Sequence, residues 1–270
     1  MKSINLVYPE KSITKFAISN FPDGQVGVRL ESINYGEPYQ IASRFSSYKD
    51  LFAILAVNQV LRDADVKWVE LFCPYILAAR GDQKFQPLES FDLKLVAQVL
   101  NIAKFDKVIC VDPHSTVLPA LIDNCKPVSQ YDAFLSWIPQ PNHFWQNKIL
   151  ISPDAGSFKK LFTVQQKLNV PMITASKVHN GTELETKFDQ DVSGLSCVIV
   201  DDICDGGRTF EQLGKRLKEL GAKSVTLMVT HGVFSKGLTL EHIDKIYTTN
   251  SYRDFDVSGI SDKFHVTNIF

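Results

Sequence analysis

Short apolar runs alternate along this chain with longer amphipathic segments, and that alternation restricts the fold more than any other feature of the sequence. An apolar run of strand length between turn signals reads as a buried strand, and a longer stretch with apolar residues every three or four positions reads as a helix lying on a sheet. "YKDLFAILAVNQVLRDADV" has helical spacing and leads into "WVELFCPY", which is short and rich in aromatic and aliphatic residues. "SFDLKLVAQVLNIAKF", with Ser90 as its N-cap, leads into the strand "KVICVDPH". Beyond the proline-containing "SWIPQPNHF" the rhythm continues through "KILISPDAG", "FKKLFTVQQKL", "VPMITASK", "CVIVDD", "TFEQLGKRLKELG" and "SVTLMVTHG". Strands joined through helices run parallel, so the expected class is α/β, with mainly parallel sheets flanked by helices. The 270 residues suffice for two cores of about 130 residues each. Two similar halves joined in the 131–145 region give expected domains 1–133 and 134–270.

Charge narrows the partners. Lys and Arg total 29 against 30 Asp and Glu, a formal net charge of -1, so no broad positive field exists to draw in nucleic acid or an anionic membrane. An anionic ligand has to be held by local groups. No 18-residue apolar stretch lacks a charge, and the apolar stretch in "MKSINLVYPEKSI" is too short for a secretory leader. Five cysteines (Cys73, Cys110, Cys125, Cys197, Cys204) are scattered without metal-ligand spacing and read as free thiols of a reduced, cytoplasmic protein.

The densest chemistry lies in "VIVDDICDGGRT", where a buried run stops at Asp201 and Asp202 and passes through Asp205, Gly206, Gly207, Arg208 and Thr209 into a helix. Ligands of open parallel sheets sit beyond the carboxyl ends of the strands. Glycines there admit an anion close to the backbone, and the first amides of the helix supply donors and positive dipole. Two adjacent carboxylates accept hydrogen bonds from a vicinal diol. A diol beside a phosphate is ribose 5-phosphate. Other strand ends carry His114 in "VDPH" and Asp154 in "SPDAGS", an imidazole and a carboxylate able to share a magnesium ion with phosphate oxygens. Lys177 follows a strand, and Arg80 with Asp82 lies in "ARGDQ", where cations can meet phosphoryl charge.

With these motifs set out, "FPDGQ", "CPY" followed by "ARGDQ", "KLVAQVL", "VDPH", "SPDAGS", "VIVDDICDGGRT" and "THGVFS", the chain resembles the ribose-phosphate pyrophosphokinases in motif order and near-family spacing. The resemblance implies two phosphoribosyltransferase-like domains, an ATP-binding one first and a ribose-phosphate-binding one second. It implies magnesium-dependent transfer of the β,γ-diphosphate of ATP to the C1 hydroxyl of ribose 5-phosphate. By the same likeness Phe21, Asp23, Gln25, Arg80, Asp82 and His114 bind ATP, and His114 with Asp154 associates with Mg2+. Asp201, Asp202 and residues 205–209 bind the ribose phosphate, while Lys177, Arg80 and His179 serve catalysis. In family members the turn carrying Phe21 comes from a neighbouring subunit, so a homo-oligomer, dimer or larger, is implied.

Some positions depart from the family pattern. Gly206 stands where the family usually has threonine, His179 where it has a second basic residue, Gly81 where glutamine is common, and Gln25 where glutamate closes the turn. A phosphate loop short of one hydroxyl suits a diester as well as a terminal phosphate, so ADP-ribose, a substrate of NAD metabolism, is the alternative acceptor. A phosphoribosyltransferase and a non-catalytic regulator of the synthetases are two further readings.

Overall fold

Five strands of the N-terminal half, β1 (Lys2–Asn5), β4 (Tyr39–Ala42), β5 (Val69–Phe72), β6 (Lys107–Val111) and β7 (Cys125–Val128), form one sheet in the order β1-β4-β5-β6-β7. Every neighbouring pair is parallel. The crossovers are the helices α1 (Tyr48–Asp63), α2 (Asp92–Ile102) and α3 (Val117–Leu121). Between β1 and β4 the chain makes an antiparallel hairpin of β2 (Phe16–Asn20) and β3 (Val26–Leu30). This computed structural model describes residues 1–137, 144–180, 183–188 and 190–270.

Contacts divide the chain into two units, Met1–Ser129 with Phe270, and Gln130–Ile269. The second contains α4 (Gln130–Trp137), β8 (Lys148–Ser152), α5 (Ala155–Leu168), β9 (Met172–Asn180), β10 (Glu183–Phe188), β11 (Ser196–Cys204), α6 (Arg208–Glu219), β12 (Ser224–Gly232), β13 (Lys245–Thr249) and β14 (Phe264–Thr267). Its sheet runs β10-β9-β8-β11-β12-β13-β14, parallel throughout except for the β9–β10 pair. The α/β class with mainly parallel sheets is thus the one the alternation demands.

Two-sided burial explains why β11 is a continuous apolar run. Cys197 and Ile199 pack into one core with Leu213 and Leu217 of α6, while Val198 and Val200 pack into the other with Leu161 and Val164 of α5. Successive side chains of a strand point to opposite faces, so a strand covered by helices on both sides must be apolar at every position. One difference from the sequence reading concerns "KVHNGTELETKF", read as a polar segment after a strand. β9 instead continues to Asn180 and pairs antiparallel with β10, with Lys177 opposite Thr186 and His179 opposite Leu184. Polar residues alternating at an edge hairpin carry no apolar signal, and backbone pairing alone makes the strand.

Helix starts follow local chemistry in α1 and α5, but not at Ser90: α2 starts one residue later, with Phe91 as N-cap and no side-chain cap hydrogen bond. Ser47 caps α1 by accepting from the Asp50 amide, and Asp50 Oδ2 accepts in return from the amides of Ser46 and Ser47 at 2.9 and 2.8 Å, a reciprocal capping box. Removing it by Asp50→Ala should cost about 1 kcal/mol and lower the melting temperature of the intact chain by roughly 2–4 °C. A thermal melt followed by circular dichroism reads this directly, and an unchanged midpoint would show that the box contributes nothing.

Candidate functional site

Three neighbouring parallel strands, β8, β11 and β12, end at one edge of the second sheet, and the polar residues of "VIVDDICDGGRT" gather there. Asp202 is 5% exposed, and its Oδ1 lies 3.9 Å from Lys160 Nζ on α5. The Asp202 amide donates to Asp201 Oδ1 at 2.9 Å. At the end of β8, Asp154 caps α5: its Oδ1 accepts from the Ser157 amide at 2.9 Å, while Oδ2 accepts no hydrogen bond among the described residues. Burial, and next the neighbouring Asp202 carboxylate, push the Asp201 carboxyl well above the usual carboxylate range; Asp154 adds to the same effect. The carboxylate-rich edge therefore favours a proton or a cation.

The loop after these acids is shaped by its glycines in two different ways. Gly207, the N-cap of α6, has φ +75°, a conformation that favours glycine, and a Cβ there would lie 2.6 Å from Leu240 Cδ2, so the Leu240 side chain would also have to move. Gly206 has no such need. A Cβ at 206 would meet only Lys236 side-chain carbons at 3.5–3.7 Å, an ordinary contact. No side chain caps α6, in contrast to α1 and α5, and among the described residues the amides of Gly206, Arg208 and Thr209 donate to no protein group. An uncapped helix start with free amides is an anion-binding arrangement.

Residues 233–242 brace this loop. The amides of Val233 and Phe234 donate to the Cys204 carbonyl, and Ser235 Oγ donates to Asp205 Oδ1 at 2.6 Å. Glu211, in the first turn of α6, accepts from the His242 amide at 3.1 Å and pairs with the His242 imidazole. His231, 3% exposed at the end of β12, is tied through Nδ1 to Ser251 Oγ at 2.8 Å. Asp205 is thus a brace as well as a lining residue. Lys160 and Lys236 were not singled out from sequence, because an exposed-helix lysine and a loop lysine carry no local signature.

The remaining predicted residues distribute as follows. Phe21, 48% exposed, Asp23 and Gln25 form the tip of the β2–β3 hairpin, closed by the Phe21 amide on the Gln25 carbonyl at 2.9 Å and the Gln25 amide on Asp23 Oδ1 at 3.0 Å. Exposed Arg80 and half-buried Asp82 lie in the loop after β5, and exposed His114 follows β6, so all three stand beyond the carboxyl ends of adjacent parallel strands. His114 belongs to the first unit and Asp154 to the second. Lys177 and His179 lie on β9 by backbone, and their side chains fall outside the described residues.

The raised Asp201 carboxyl predicts a pH signature. The folded chain keeps a proton that the unfolded chain, with an ordinary carboxylate near pKa ~3.9, gives up. Stability from this group is therefore fully present below about pH 4 and is lost as pH rises through the higher folded value. Asp201→Asn, which retains an oxygen for the Asp202 amide, should melt roughly 2–4 °C above wild type at mildly alkaline pH, with the gap closing towards pH 4. Parallel melting curves across pH would refute the shift.

The Phosphoribosyl transferase domain family matches residues 130–265. Ribose-phosphate pyrophosphokinases are similar over most of the chain: that of Corynebacterium efficiens is 30% identical over 236 residues, covering 84% of this chain and 72% of its own. That of Thermosipho africanus is 27% identical over 262 residues, covering 93% and 82%. The crystal structure of phosphoribosylpyrophosphate synthetase from Mycobacterium smegmatis superposes with a TM-score of 0.80 at 21% identity, covering 97% of this chain and 88% of that one. Both halves share that fold, and the identity to curated relatives spans both, so the chain belongs to the ribose-phosphate pyrophosphokinase family of transferases.

Proposed function

We propose that this protein transfers the β,γ-diphosphate of ATP to the C1 hydroxyl of ribose 5-phosphate, producing phosphoribosyl pyrophosphate and AMP, in a magnesium-dependent reaction. The observation that carries the reading is the uncapped start of α6, with three free amides directly after the acid pair Asp201 and Asp202. In this reading the amides and Thr209 hold the 5-phosphate, and the two carboxylates accept hydrogen bonds from the sugar's neighbouring hydroxyls. Phe21, Asp23, Gln25, Arg80, Asp82 and His114 take ATP, as the family relationship suggests.

The bond changes are simple. The C1 hydroxyl oxygen bonds to the β-phosphorus, the bond from that phosphorus to the α,β-bridging oxygen breaks, and AMP leaves with that oxygen. Nothing covalent is asked of the protein, which aligns the reactants and offsets developing charge with Lys177, Arg80 and His179. The acidic edge fits a hard divalent cation: Asp154 Oδ2 is open, and the Asp201 carboxyl needs a neighbouring positive charge to ionise. By the family relationship Asp154 and His114 are each the kind of residue that would associate with magnesium, which would supply charge neutralisation on phosphate oxygens. The exposed Phe21 hairpin suits a site completed by a second copy, so the protein acts as a dimer or larger homo-oligomer in the cytoplasm. Among the described residues no helix is long and apolar enough to cross a membrane.

Gly206 supports a second reading, with ADP-ribose as acceptor. Backbone geometry does not require glycine there and a side chain would fit, so the missing hydroxyl is a property of the residue choice and leaves room for a diester.

Incubation with ATP and magnesium should release AMP with ribose 5-phosphate, and release confined to ADP-ribose would select the second reading. Lys177→Ala should lower turnover roughly 100-fold or more while the melting temperature stays put; an unchanged rate removes Lys177 from the reaction. Gly206→Thr, which adds a donor beside the phosphate, should lower the KM for ribose 5-phosphate by roughly 3- to 10-fold. Loss of ADP-ribose turnover in that variant, with no gain on ribose 5-phosphate, would favour the diester.

A further inference from the structure

Cys110 and Cys125 are far from the acid pair in sequence and play no part in the reaction above, yet their Sγ atoms are 3.6 Å apart. The register of β6 with β7 sets Cys125 beside Val108 and Cys110 beside Pro127. Residues two apart share a strand face, so both sulfurs project to one side of the sheet, where both pack against the same core. Cys110 is 1% exposed on an inner strand, whereas Cys125 is half-buried on the edge strand β7, the accessible member of the pair. Proline is tolerated at such an edge, and nothing beyond β7 covers that side of the sheet among the described strands.

We propose that Cys110 and Cys125 form a reversible dithiol–disulfide pair, a site of oxidation by hydroperoxides. Closing the gap to a bond of about 2.05 Å takes roughly 1.5 Å of combined sulfur movement, and because residues two out of register on neighbouring strands stand roughly 7–8 Å apart at Cα, the edge strand β7 has to shift along β6 as the bond forms. The hydrogen bond from Cys110 lowers the Cys125 thiol, which makes Cys125 the attacking sulfur and Cys110 the resolving one.

The steps balance. The Cys125 thiolate attacks one peroxide oxygen; the S–O bond forms, the O–O bond breaks, and hydroxide or alkoxide departs. The Cys110 sulfur, giving up its proton, then attacks the oxidised sulfur; the S–S bond forms, the S–O bond breaks, and the oxygen leaves as water. Two thiols lose two electrons and the peroxide gains them. The bond would join β6 to β7 one residue before β6 ends at Val111; the next residue, Asp112, has a left-handed backbone (φ +41°) and is fastened to β7 by its amide on the Val128 carbonyl at 2.9 Å.

The test is peptide mass spectrometry on the intact chain after brief treatment with hydrogen peroxide, followed by alkylation under denaturing conditions. The expected result is a linked peptide joining Cys110 to Cys125, lighter by about two mass units for the two thiol hydrogens, with Cys73, Cys197 and Cys204 alkylated and dithiothreitol restoring the original mass. Cys110→Ala, given peroxide and a small external thiol, should instead accumulate a mixed disulfide at Cys125 that wild type resolves. Sulfinic acid at Cys125 without the linked peptide, or a mixed disulfide that persists equally in wild type, would overturn the proposal.

Discussion

Burial of β11 on both faces is the constraint from which the rest of the second unit follows. A strand lying between two helical layers is apolar along its covered length, so its carboxylates appear together near its carboxyl end, at Asp201 and Asp202. The chain must then turn directly into α6, whose Phe210, Leu213 and Leu217 pack against the same core. Within that short connection Gly207 takes a left-handed backbone that disfavours a side chain. The same burial that stabilises the sheet therefore builds a bare backbone loop beside two acids.

That loop is kept open by residues remote in sequence. Ser235 takes up Asp205, the carbonyl of Cys204 is shared by two amides of the 233–234 segment, Leu240 presses on Gly207, and His242 holds Glu211 back from the helix start. The contacts at Asp205 and Glu211 occupy carboxylates that would otherwise compete with an anion for the nearby amides. Organising donors in advance lowers the cost of ordering them when a ligand binds. The price of this arrangement is a crowded set of carboxyls, visible in the raised Asp201.

Much of the fold was legible because its signals are local. Apolar spacing predicts α1 and α6, and the strand ends carrying His114, Asp154 and Asp201 stand out by abrupt changes from apolar to polar. The short strands β7, β13 and β14 and the β9–β10 hairpin were not legible. Four or five residues, or a polar alternation, become strands only when a neighbour supplies the other half of the hydrogen bonds.

The sequence by itself determined that parallel sheets and helices alternate, that Gly206 and Gly207 follow an acid pair, and that a helix starts directly after them, because each depends on residues adjacent in the chain. Only the tertiary structure decided that the backbone favours glycine at 207 and not at 206, that Lys236 runs beside the loop after the acid pair, and that two of five scattered cysteines meet on one sheet face. Those facts rest on strand register and on loops brought together across the sheet edge. Neither is encoded in any short stretch of residues.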